Sequence, residues 1–186
     1  EDTASRLNCS GVYFKSLDRH VRKRSPEDAQ PRHLAGSTAP DTFPLRENGI
    51  TYEASFNEGY SVGLFLDQRE NRRAWMNFDL AKKQSKSPPR LLNCFAYTCA
   101  FSVAAAKGGW ETTSLDLSRK YLDWGRRNFE ANELVPANHD FIYGDAFEWL
   151  KRLAKKGRTF EAVALDPPTF SKAKNGTQFK ADRDYG

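Results

Sequence analysis

Apolar and polar side chains alternate strictly over positions 50–56. Ile50, Tyr52, Ala54 and Phe56 fall on one side and Thr51, Glu53 and Ser55 on the other. That is the period of a strand with one buried face. Asn57-Glu58-Gly59 gives a turn signal, and 60–66 is a second strand-like run, so a β-hairpin is expected there. Asp67 with Glu70 three residues on has capping-box spacing and predicts a helix over 67–78. Upstream, Val12, Phe14 and Leu17 suggest a strand within 11–17. The stretch 25–44 carries four prolines and reads as a long surface connection. Positions 82–90, polar with Pro88-Pro89, read as a linker.

Beyond it the period changes. An apolar strand over 90–95 leads to a helix over 101–107 that stops at Gly108-Gly109, a C-cap signal. A β-branched strand over 112–115 ends at Asp116, and Ser118 is a good N-cap for a helix reaching about Asn132. A strand over 141–143 ends in Gly144-Asp145. Phe147, Leu150, Leu153 and Ala154 mark another amphipathic helix that closes near Gly157. A last apolar strand, 160–165, runs into Asp166-Pro167-Pro168. Strands and helices alternating with short loops predict an α/β fold with a parallel doubly wound sheet. The expected division is a β-rich segment with hairpin and helix over 1–89 and a nucleotide-type domain over 90–186.

Composition narrows the class. The longest apolar run, 101–106, is far below the roughly 18 to 20 residues of a membrane span. Aromatic residues make up 13% of the chain, too many for a disordered polymer. Cys9, Cys94 and Cys99 are odd in number and lack histidines at metal spacing. Reduced thiols and a cytoplasmic location are therefore expected. No secretory leader is visible at the start. The net charge of +5 is compatible with a nucleic-acid partner without arguing strongly for one. Arg19, His20, Arg22, Lys23 and Arg24 form a basic cluster that reads as a solvated edge or loop.

Chemistry enters at the strand ends, where ligands bind in open α/β sheets. Asn93 lies in the first strand of the sheet, and Asp116, Asp145 and Asp166 end the next three. A carboxylate after the second strand can accept both hydroxyls of a ribose, and its distance past the first loop fits. One after the third can accept from an adenine amino group. Any single aspartate here is equally a helix cap; the set points to a nucleoside ligand. The first loop, 95–101, has no glycine, which argues against a dinucleotide and for a cofactor without phosphates. In Asp-Pro-Pro-Thr-Phe, 166–170, two prolines stiffen the backbone and Phe170 can stack on a base.

These residues carry a resemblance. LLNCFAYTCAFSVAAA (91–106), TSLDLS (113–118), GDAFEWL (144–150) and DPPTFSK (166–172) resemble class I S-adenosylmethionine-dependent methyltransferases. The closest subgroup holds bacterial large-subunit ribosomal RNA enzymes, some modifying cytosine C5 and some guanine N7. GLFLDQRENRR (63–73) is similar to that subgroup as well. The resemblance implies a Rossmann-like class I sheet, here strands one to four, with S-adenosyl-L-methionine as cofactor and ribosomal RNA as partner. It implies that Phe95, Tyr97 and Thr98, with Asn93, line the methionine end. Asp116 with Leu117 would hold the ribose and Asp145 with Ala146 the adenine. Gln68 and Arg69 would approach the cofactor, and Asp166, Pro167, Pro168 and Phe170 would face the methyl group and substrate. Lys172, Lys174, Lys180 and Arg183 follow that loop and are expected to meet RNA phosphates.

The chain departs from the family in two ways. Cys99-Ala100 stands where the family usually has two glycines, and a cysteine is costly if that turn needs positive φ. Strands five to seven of a class I sheet are not seen, so the chain is expected to be part of a longer protein. Its strand four, apolar over 162–165, is then expected to be an unpaired edge prone to association. No cysteine follows Asp-Pro-Pro to act as a C5 nucleophile, so the choice between C5 and N7 or amine chemistry stays open. A non-catalytic RNA-binding remnant is the second reading. An oxidoreductase is the third, disfavoured by the glycine-free loop.

Overall fold

The computed structural model describes residues 8–15, 31–57, 61–78, 87–168, 170–172 and 178–180, the last two segments as backbone. The chain divides into two compact units, Glu1–Leu66 and Asp67–Gly186.

The first unit holds two antiparallel pairs. β1 (Gly11–Phe14) pairs with β2 (Arg32–Gly36), and β3 (Phe43–Glu47) pairs with β4 (Ile50–Ala54). The alternating segment does form the expected strand, but its partner lies upstream. Glu47 faces Ile50 across the two-residue loop Asn48-Gly49, whose φ values are +52° and +78°. Positive φ at both loop residues is the I′ geometry that matches strand twist, and Asn-Gly is its preferred sequence. Positions 61–65 form no strand, although one backbone bond, Ser55 N–H to Val62 C=O (3.0 Å), draws them back. The supposed long connection thus contains β2 and the first two residues of β3. Pro44 does not interrupt β3, because a strand in a two-stranded pair has an open edge where the missing donor is harmless. The basic cluster at 19–24 and most of the expected linker lie outside the described residues.

The second unit opens with a 3-10 turn, Leu66–Gln68, at its boundary and α1 (Arg69–Asn77). Gln68, not Asp67, is the N-cap residue and makes no side-chain cap. Then come β5 (Arg90–Cys94), α2 (Ala100–Lys107), β6 (Glu111–Asp116), α3 (Arg119–Glu130), β7 (Asp140–Tyr143), α4 (Ala146–Lys155) and β8 (Ala162–Leu165). A short antiparallel pair, β9 (Phe170–Lys172) with β10 (Gln178–Lys180), follows. The sheet order is β7-β6-β5-β8, every pair parallel. The helix placed before residue 89 packs with this unit: α1 lies on α2, and Trp75 meets Trp110 edge-on at 5.6 Å.

Adjacent residues of β5 feed opposite faces, as the strand period requires. Leu92 and Cys94 pack with Leu115, Ala146 and Leu153, and Leu91 packs with Ala105, Trp110 and Ala164. Val163 and Leu165 of β8 remain 52% and 46% exposed, and β8 ends the sheet order among the described residues. Ser118 accepts from Tyr121 N–H at the start of α3 (3.3 Å), as the expected cap. Ser118→Ala should lower stability by about 1 kcal/mol; an unchanged thermal midpoint would show that this cap contributes nothing.

Candidate functional site

β5 lies inside the sheet and the crossover direction reverses on either side of it. The chain leaves β5 for β6 on one side and returns to β8 on the other. A crevice opens at such a reversal, outside the carboxyl ends of the strands. The 95–99 loop, Asp116, Asp145 and Asp166 all follow carboxyl ends of this one sheet.

The loop after β5 has an unusual backbone. Phe95, Tyr97 and Cys99 have φ of +58°, +49° and +59°, a left-handed geometry that side chains disfavour. Sequence reasoning anticipated the cost at Cys99 but not at the two aromatics. What holds the loop is Asp116. Its Oδ2 accepts from Tyr97 N–H and its Oδ1 from Ser118 N–H, each at 2.8 Å. The carboxylate therefore ties the first loop to the entrance of α3. Burial pushes its pKa up, against the backbone donors of Tyr97, Ser118 and Leu117. A carboxylate oxygen has two lone pairs, so each of these bonds leaves capacity for a hydroxyl.

Phe95 meets Phe147 edge-on at 6.5 Å, and the Tyr97 ring meets Tyr121 at 4.5 Å. Thr98 is buried, and its carbonyl accepts from Asn128 Nδ2 (2.9 Å). Asn93 does not face the crevice. It is 1% exposed and donates from Nδ2 to Ser102 Oγ (2.9 Å), which is bonded in turn to Ser114 Oγ (2.8 Å). Its amide works inside the core. Leu117 is half-buried beside Asp116. Asp145 caps α4, with Oδ1 accepting from Glu148 N–H (3.1 Å), and Ala146 is buried behind it. The cap uses one carboxylate oxygen, so a helix cap and a ligand contact are compatible there.

Asp166 stands at the end of β8 before the half-buried Pro167 and Pro168. Its pKa is pushed up by partial desolvation and by the Asp67 carboxylate, and pulled down by the Arg72 guanidinium. These two partners were not expected. Arg72 is 2% exposed, and an arginine three residues before Trp75 on a helix was the available signal for a buried charge. Gln68 is half-buried and Arg69 exposed at the start of α1, beside Asp67 in sequence. Lys174 and Arg183 lie outside the described residues. Of Phe170, Lys172 and Lys180 only the backbone is described.

Two cysteines bear on mechanism. Cys94 sits in the core as expected, its thiol pushed by burial up to about 11, and Cys99 is pushed by burial up to about 12. Both are thiols at neutral pH, and the thiolate is the nucleophilic form.

The comparisons with known proteins agree on a family. The model described as S-adenosylmethionine-dependent methyltransferase matches residues 2–185. Ribosomal RNA large subunit methyltransferase I of Aeromonas salmonicida is 37% identical over 167 residues, 89% of this chain and 40% of that protein. Ribosomal RNA large subunit methyltransferase K of Neisseria meningitidis serogroup B is 33% identical over 155 residues, 83% and 42%. Among solved structures, one described as a candidate SAM-dependent methyltransferase from Streptococcus mutans has a TM-score of 0.77 at 35% identity. It covers 97% of this chain and 42% of its own. A candidate methyltransferase complexed with SAH has a TM-score of 0.74 at 39% identity, covering 83% and 39%. The chain spans about 40% of the length of the curated relatives it matches.

Proposed function

Because this chain belongs to the S-adenosylmethionine-dependent methyltransferase family, we propose that it acts in transferring a methyl group from that cofactor to a base of large-subunit ribosomal RNA. The observation that carries the reading is Asp116, a carboxylate at the end of β6 that shapes the 95–99 loop and keeps acceptor capacity. Those features suit a ribose. The loop offers aromatic surface and backbone without glycine, which suits a nucleoside joined to an amino acid better than a pyrophosphate.

In this reading Asp116 and Leu117 hold the ribose, and Asp145 with Ala146 the adenine. Phe95, Tyr97 and Thr98 shape the methionine end, and Gln68 and Arg69 approach from α1. Asn93 ties β5 to α2 through Ser102 inside the core. When bound, S-adenosylmethionine supplies an electrophilic methyl group on a sulfonium. The chain's contribution is orientation, bringing a nucleophilic atom of the base in line with that methyl. Asp166 accepts from a polar edge of the base, Pro167 and Pro168 fix the backbone behind it, and Phe170 stacks on the base. Lys172 and Lys174 bind RNA phosphates. The buried thiols of Cys94 and Cys99 take no part as nucleophiles. The named substrates of the rRNA methyltransferases I and K support RNA as the partner. No helix among the described residues is long and apolar enough to cross a membrane, and we place the protein in the cytoplasm.

The test is calorimetric titration of the intact protein with S-adenosylmethionine and, separately, with NAD. It is followed by transfer of labelled methyl to large-subunit ribosomal RNA lacking modifications. Saturable binding of the first with label in the RNA is expected. Binding of NAD in its place would overturn the reading. Binding of RNA without either cofactor would favour the non-catalytic alternative.

A further inference from the structure

The left-handed turn at Cys99 has a counterpart on the neighbouring helix. Cys99 is fully buried at the N-terminus of α2, with φ +59° and ψ +27°, and its side chain makes no cap to that helix. The thiol lies against Gly125 in the middle of α3. A Cβ placed on Gly125 would meet the Cys99 Sγ at 2.4 Å and its Cβ at 2.9 Å. A side chain at 125 is thus excluded by the Cys99 side chain, Sγ first and Cβ second, because the Thr98 carbonyl oxygen is at an ordinary 3.5 Å. Gly125 is a notch and Cys99 fills it. One turn further along the same face, Asn128 donates to the Thr98 carbonyl (2.9 Å). With Asp116 holding Tyr97 N–H, residues 97, 98 and 99 are each fixed by a different contact.

A glycine is the ordinary choice at 99, where φ is positive, and a poor choice at 125, inside a helix. The chain has the opposite arrangement at both positions, and the two costs are relieved by one contact. We propose that Cys99 and Gly125 are a positioning pair: the thiol seated in the notch of α3 locks the 95–99 loop in the geometry that receives the cofactor. The inference rests on reading that loop as part of the cofactor site. Neither residue touches the cofactor; the pair acts through Tyr97 and Thr98.

The pair predicts reciprocal rescue. Cys99→Gly frees the loop and empties the notch. Gly125→Ala forces the thiol out, although alanine is the better helix former. The double variant returns a methyl group to the same space. In calorimetry of the intact protein with S-adenosylmethionine, Cys99→Gly is expected to weaken binding about fivefold and Gly125→Ala about tenfold, while the double variant stays within about twofold of wild type. Cys99→Ser, close in shape, should also stay near wild type. Unfolding midpoints measured without cofactor give the comparison. A merely structural role would move those midpoints and leave affinity per folded molecule unchanged. The proposal is overturned if Cys99→Gly binds as wild type does, or if the double variant is as weak as the two losses combined. Should Gly125→Ala fail to fold, Cys99→Gly and the double variant still decide. Wild-type protein that binds no S-adenosylmethionine would defeat the reading of the site, and the pair with it.

Discussion

Replacing Arg72 with Met is expected to lower methyl transfer on the order of 100-fold at neutral pH, the scale of a small misplacement of a reacting group. Arg72 is buried in α1, and its guanidinium is the group that opposes the upward pull on Asp166. Met keeps length and apolar bulk and removes the charge. The partial desolvation of Asp166 and the Asp67 carboxylate both remain, and both favour the protonated acid. In the proposed site Asp166 works as an ionised acceptor, the form that makes the stronger bond. The acid limb of the pH–rate profile should therefore move to higher pH in Arg72→Met, and raising the pH should restore part of the rate. Asp67→Asn should move that limb the other way, because it removes a like charge. Identical limbs in all three proteins would show that the proposed site does not use Asp166 ionised. There is also a stability consequence. A carboxyl whose pKa is raised by folding costs the fold stability once ionised. The cost is full above the folded value, fades as pH falls through it, and is absent below the unfolded value.

Asp116→Ala carries the second large effect. It removes the acceptor for Tyr97 N–H and Ser118 N–H together. Loss of an ionised acceptor is worth roughly 1 to 3 kcal/mol, or about fivefold to a hundredfold in the dissociation constant of S-adenosylmethionine. The loop donors are orphaned even without cofactor, so the unfolding midpoint should drop as well. Asp116→Asn keeps one acceptor oxygen and offers a graded comparison, with an intermediate loss expected. Calorimetry and thermal unfolding of the intact protein read the two effects separately. Unchanged affinity in Asp116→Ala would mean that Asp116 only organises the backbone.

The α/β half was legible because its signals are local. The runs at 91–94, largely apolar, and 112–115, β-branched at Thr112 and Thr113, are short, and Gly108-Gly109, Ser118 and Gly157 mark helix ends close to where the structure has them. Asp116, Asp145 and Asp166 each follow a strand-like run and precede a helix or a proline turn, which marks them as strand-end residues. The β-rich segment was less legible. β2 is largely polar and exposed, and Pro44 reads as a breaker. Asn48-Gly49, with positive φ at both residues, is the stronger turn signal and closes the β3–β4 hairpin. The influence of Arg72 and Asp67 on Asp166 is tertiary, across almost a hundred residues of sequence, and no local pattern carries it. Asn93 misled for a related reason: a polar residue near a strand end suits a ligand as well as it suits a buried partner such as Ser102.

The strand order also sets a timetable. β5 meets β6 after a connection of one short helix, with Leu91 opposite Thr112. It meets β8 only when Leu91 finds Ala162. Closing the longer span costs more chain entropy, by about 0.6 kcal/mol for each doubling of length, and non-local pairings form slowly. The first loop and Asp116 can thus be assembled on β5 and β6 while β8 is still loose. The same asymmetry applies to opening, since β8 ends the sheet order among the described residues, with Val163 and Leu165 exposed. Amide exchange should reach β8 before β5 and β6. The half of the crevice assigned to the cofactor would then persist through excursions that dismantle the half holding Asp166.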